Sequence, residues 1–115
     1  MEVVIILIAV GIVGYVIYQT LPNPKFQKAT SFFDLGKLDG AAKILNDIFE
    51  KHPDAPAKLA ECKLQEGLNA KPKSDNAAIK YFNEAIEIKK RLPTNASKTK
   101  YELIEAKACF EIAVI

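Results

Sequence analysis

Two patterns of hydrophobicity divide this chain. From Val3 to Tyr18 no side chain is charged and almost none is polar, whereas after Leu21 apolar and charged residues alternate at helical spacing between clusters of proline, glycine and small polar residues. The first stretch, residues 1–21 (MEVVIILIAVGIVGYVIYQTL), predicts a single transmembrane helix. Val3 to Leu21 would reach ~28 Å at ~1.5 Å per residue, close to the hydrocarbon thickness of a bilayer. A lone span must be helical, because lipid offers its backbone no hydrogen-bond partners. The leader has no basic segment ahead of the apolar run and no small-residue cleavage site after it, which favours an uncleaved anchor over a signal peptide. Gly11, Gly14 or Tyr15, and Tyr18 share one stripe of this helix, and small residues there are candidate contacts for a second transmembrane helix.

Residues 22–115 predict an all-α domain of five helices. Pro22 and Pro24 stop the first segment, and Asn23 can cap a helix from about Pro24 to Leu35 with Phe26, Ala29, Phe32 and Phe33 on one face. After the turn GKLDG, Asp39 is the expected cap of a helix over about 40–51 that buries Ala41, Leu45, Ile48 and Phe49. Asp54 in HPDAP is the expected cap of a third, about 55–70, with Ala60, Leu64, Gly67 and Leu68 inward. Ser74 or Asp75 opens a fourth over about 75–92, with Ala78, Phe82, Ala85 and Ile86 inward, and LPTN breaks it. The last runs from about Ala96 to the end, carrying Tyr101, Ile104, Ala108 and Ile112 on one stripe with Leu103, Ala106 and Phe110 beside it. No stretch alternates with period two for long enough to form a sheet.

The helices pair into hairpins over about 24–51 and 55–92, and the pairs repeat. Ala29 to Leu64 and Phe33 to Leu68 are offsets of 35; Ala41 to Ala78, Leu45 to Phe82 and Ile48 to Ala85 are offsets of 37. In the first unit Ala29, Phe32, Gly36, Leu38, Ala41, Leu45, Ile48 and Pro53 give the sequence small, aromatic, turn glycine, bulky apolar, small, large apolar, apolar, closing proline. On these residues the chain resembles the tetratricopeptide repeat family. The second unit follows the pattern more loosely, with Leu64, Leu68, Ala78, Phe82 and Ala85 at the packing positions. The fifth helix reads as the first half of a third unit, because LIEAKA at 103–108 echoes LAECKL at 59–64. The resemblance implies a helical-hairpin solenoid of about two and a half repeats, in which small residues let paired helices approach and larger ones fill the gaps between pairs.

Composition narrows the function. The soluble part has a net charge of only +3, since all sixteen Lys and Arg follow the anchor and Glu2 precedes it; nucleic-acid binding calls for a more concentrated basic face. Cys62 and Cys109 both fall in apolar helical patterns and read as reduced core thiols. His52, the only histidine, sits where a helix ends and is expected to face its last carbonyls. There is no phosphate loop, no metal-spaced Cys/His set and no nucleophile elbow, so the reading is non-enzymatic, without cofactor, metal or small-molecule substrate. Lys25 and Lys28 after the anchor put the soluble domain in the cytoplasm by the positive-inside rule, and a bacterial inner membrane is favoured.

What the resemblance implies is binding of another protein or peptide on the face made by the first helix of each unit. Its polar positions here are Lys25, Gln27, Thr30 and Ser31, then Lys63 and Glu66. Phe26 and Thr30 stand where the family's carboxylate clamp has lysine and asparagine, so chaperone docking is not expected. The apolar terminus ACFEIAVI, with Phe110 and Ile112, is expected to meet a partner or further chain. The first expectation is therefore a membrane-anchored adaptor or scaffold. The alternative is an accessory subunit of an integral membrane complex, held through its transmembrane helix. A weaker alternative follows from the order of span, short tether and repeat domain, which is similar to that of the mitochondrial presequence import receptor.

Overall fold

A computed structural model describes the backbone of residues 2–115 and the side chains of residues 3–14 and 21–115. The described residues form α1 (Glu2–Thr20), α2 (Pro22–Asp34), α3 (Leu38–Asp47), α4 (Ala55–Ala70), α5 (Asp75–Glu87), a 3-10 turn (Ile88–Arg91) and α6 (Lys98–Ala113), with no strand among them. The domain is all-α, as the periodicity predicts.

Residues 3–14 of α1 are apolar on every side, and their large side chains are all more than half exposed, from 57% at Val13 to 69% at Val3. The expected transmembrane span is nevertheless not met: among the described residues no helix is long and apolar enough to cross a membrane. The described side chains of α1 end at Gly14, which is ~18 Å of helix against the ~30 Å of a bilayer core. Tyr15 and Tyr18 lie outside the residues whose side chains are described.

Only Leu21 separates α1 from α2. Its extended backbone serves as the N-cap, and Pro22, not Pro24, opens the helix. Both prolines fit because the first four N–H groups of a helix have no internal partner. α2 is closed off just past its end by Gly36, whose φ of +79° suits glycine. Gly36 N–H donates to Phe33 O at 3.0 Å and Lys37 N–H to Phe32 O at 2.8 Å, the paired bonds that close a helix through a left-handed residue. Asp39 does not cap α3. It lies in the first turn with Lys37 as N-cap, where its charge meets the positive end of the helix dipole. α3 stops at Asp47, earlier than expected, and Ile48 and Phe49 are buried from the following turn.

α4 keeps its expected limits, but Asp54 caps it by position only, without a side-chain bond to the helix. Ser74 caps α5 by accepting the Ala77 N–H at 3.2 Å. The fourth helix is not α-helical to Leu92, and the cause is tertiary. The Tyr101 hydroxyl accepts the Lys89 N–H at 2.9 Å and faces Ala85 O at 2.9 Å and Ile86 O at 2.8 Å. It therefore stands between the Ala85 carbonyl and the Lys89 amide, which an α-helix would join directly, and the chain tightens into the 3-10 turn there.

α2 packs on α3, α4 on α5, and α4 also on α3 and α6. α6 runs parallel to α4, since Lys100 pairs with Asp54 at 3.1 Å near their starts and Glu111 with Lys71 at 3.0 Å near their ends. The core follows the 37-residue offsets: Ala41 and Ala78, Leu45 and Phe82, and Ile48 and Ala85 are all buried. Ala29, Leu38 and Leu64 are buried too, Phe32 is half-buried, and Gly36 and Pro53 lie exposed in turns. Cys62 is buried but Cys109 is exposed. The sequence pattern misplaces Cys109 because α6 carries apolar residues on more than one face.

Candidate functional site

α6 sits on the domain through one stripe. Tyr101, Ile104 and Ala108 are buried, and Ile112 packs half-buried against the core. Burial, reinforced by Glu105, pushes the Tyr101 phenol up to about 12. Residues about a third of a turn away cannot reach that core. Leu103 at 59% and Phe110 at 64% remain exposed beside Leu68 at 36%. They line a groove of about 310 Å3 between α4 and α6, with Leu64 and Ala106 completing its apolar wall and Lys107 and Glu111 its charged members.

A second hollow of about 380 Å3 shares Leu103 and Lys107 and continues past Lys58 and Glu61 to Phe26 on α2. Its charges are partly satisfied, because Lys58 pairs with Glu61 at 3.4 Å and lies 3.9 Å from the Phe33 ring centroid. The two hollows form a band across α2, α4 and α6 that is apolar at the α6 end and charged in the middle.

The expected partner residues do not converge there. Gln27 and Ser31 are exposed on α2, but the Ser31 hydroxyl donates to Gln27 O at 3.1 Å and the Thr30 hydroxyl to Phe26 O at 3.0 Å, so both bond their own helix. Lys25 is half-buried on the first turn of α2. Lys63 and Glu66 face the other side of α4. Lys63 pairs with Glu84 of α5 at 3.5 Å, and Glu66 lines a hollow with Leu38, Asp39 and Tyr81. Burial raises the Glu66 carboxyl above its usual range, against the pull of Lys63, and its Oε1 has no hydrogen-bond partner among the described residues. Of the expected set only Phe110 lines the groove. Leu103 lines it with Phe110, as an apolar residue beside the buried stripe, and so does Leu68, expected inward at a repeat-packing position but exposed because its side of α4 faces the groove and not the core.

His52 does not face the end of α3. Its ring stacks on Phe26 at 4.2 Å between centroids, 7° from parallel, and its Nδ1 accepts the Asp54 N–H at 3.1 Å. Among the described residues no group of His, Cys, Asp and Glu could hold a metal ion. Burial pushes the Cys62 thiol up to about 12, which leaves it a poor nucleophile. No family model, no curated protein and no solved structure matches the chain.

Proposed function

We propose that this protein is a membrane-anchored adaptor of tetratricopeptide-like helical hairpins that holds another protein in the groove between α4 and α6. The observation that carries the reading is the exposure of Leu103, Phe110 and Leu68 around one groove. The hairpin architecture is supported by the parallel course of α4 and α6 and by the burial of residues 37 positions apart. The anchor is supported by the all-round apolar surface of α1, since a helix without a polar face belongs in a core or in lipid. Withdrawing its nine exposed large apolar side chains from water is worth on the order of 10 kcal/mol, as much as the net stability of an average domain. The apolar sequence continues through Tyr18. The domain then lies on the cytoplasmic side, where Lys25 and Lys28 follow the anchor.

The test places a photo-crosslinking side chain at Leu103, at Phe110 and, as control, at exposed Lys80 in the full chain in its native membrane. Discrete adducts from the first two positions and none from Lys80 are expected, and Leu68→Glu should abolish them. Adducts from all three positions alike, or from none, would sink the groove as the binding site.

A second reading makes the protein an accessory subunit held through α1. It is favoured by Gly11 and Gly14, where a β-carbon would meet no atom within 4 Å, so that another helix has open access to the backbone. A membrane complex that survives deletion of residues 22–115 would establish this reading over the adaptor.

A further inference from the structure

Three separate segments of the chain meet at the end of the domain that leads out of α1. Phe26 stacks on His52, Asn95 Nδ2 donates to Glu50 O at 3.4 Å, Ser97 N–H donates to Pro53 O at 2.9 Å, and the Arg91 guanidinium lies 4.6 Å from the centroid of the Phe49 ring. These contacts bring together residues 21–28, 48–54 and 88–100. The segments hold eight basic and two acidic side chains, a net +6, which becomes +4 when Glu105, the partner of Lys89, and Glu87, which lines a hollow with Lys90 and Arg91, are counted with them. The segments at the opposite end, 34–40, 69–76 and 110–115, hold three basic and four acidic, a net −1. The mild overall charge thus conceals a polarised domain.

Internal pairing does not use up this charge. Asp54 takes Lys100 and Glu105 takes Lys89 at 3.6 Å. Lys51, Lys90 and Lys98 are exposed and have no ion-pair partner among the described residues, and Lys25 is half-buried without one. They come from three segments, so the fold joins the short run Lys89-Lys90-Arg91 to basic residues that lie far from it in sequence. The single residue between α1 and α2 keeps this end of the domain next to whatever surface α1 enters.

We propose that this end is a docking surface for the anionic headgroups of the bilayer, a second attachment that rests on the reading of α1 as an anchor. A basic side chain near an anionic leaflet strengthens attachment about fivefold, and the effect reaches only about 8 Å at physiological salt. A patch at the junction end is in range. The same charge at the far end of the domain would not be.

The test reconstitutes the full chain in phosphatidylcholine vesicles and in vesicles about one-third phosphatidylglycerol, and reads amide hydrogen exchange. Exchange in 48–54 and 93–97 should slow at least about fivefold in the anionic vesicles, while 34–40 and 71–75 stay unchanged. The slowing should vanish at about 1 M salt, where screening acts within ~3 Å. Lys51→Glu, Lys90→Glu and Lys98→Glu combined should remove it and leave exchange at the far end intact, which reports that the fold is kept. Equal rates in both vesicles, with the chain still resisting alkaline extraction, overturn the docking surface and leave the anchor standing. Release from neutral vesicles by alkali overturns the anchor and this proposal with it. Slowing by heparin in neutral vesicles, without any by phosphatidylglycerol, overturns the lipid assignment in favour of a polyanionic partner.

Discussion

The Phe82 ring of α5 occupies the space that a β-carbon on Gly67 of α4 would need, with Cδ1 2.6 Å and Cζ 2.9 Å from that position. Both residues are buried, and the absent side chain is what lets the second hairpin close. Gly67→Ala would gain up to about 1 kcal/mol in helix propensity but would overpack the core at a cost of about 1–3 kcal/mol. A net loss of about 1 kcal/mol is expected in chemical denaturation. Phe82→Leu, destabilising by itself, should absorb most of the Gly67→Ala effect in the double variant. A Gly67→Ala protein more stable than the parent would contradict this packing.

Tyr101→Phe removes the oxygen that serves Lys89 N–H and the Ala85 and Ile86 carbonyls. Leaving such groups unserved costs about 1–3 kcal/mol, although Ala85 O and Lys89 N–H can recover part of it by joining directly. Ultraviolet titration should show one phenol fewer ionising near 12 in the variant than in the parent.

The helices and their approximate limits are legible because apolar spacing and proline or glycine punctuation agree: His52-Pro53-Asp54 precedes α4 and Pro72 follows it, and its limits are met. Where α3 ends is not legible, since Ile48 and Phe49 continue its apolar spacing although they bury themselves from a turn. The end of α5 is decided by a hydroxyl twelve or more residues away, which no local signal carries. The face of α4 that meets α6 depends on rotation by a fraction of a turn. That is why Lys63 and Glu66 point toward α5 and α3 and not into the groove.

His52 is expected to make stability pH-dependent. Burial of its ring lowers its pKa below the ordinary value, with Asp54 opposing the shift and Lys100 adding to it. The unfolded chain therefore takes up this proton first as pH falls. The stabilisation is fully present above the unfolded value of ~6.5 and is lost as pH falls through the lower folded value. Protonation also removes the lone pair that accepts the Asp54 N–H. Denaturation of the parent and of His52→Asn, compared from pH 7.5 downward, should show a steeper loss in the parent near and below pH 6.5. Parallel curves would remove His52 from the account.

The two thiols should react differently. In the native protein a soluble maleimide at neutral pH should modify Cys109, which is exposed, and spare Cys62, which is buried and held up to about 12. Both should react in denaturant. Rapid native labelling of two thiols, counted by mass, would mean that α4 opens readily.

The hydroxyl of Tyr101 also bears on how the domain comes apart. Because it stands in for one rung of the α5 ladder, the final turn of α5 reaches its native register only when α6 is docked. The last helix is therefore no detachable appendage to a finished pair. α5 and α6 belong to one cooperative unit, and the end of α5 should unfold together with α6 while the α2–α3 hairpin holds its own protection.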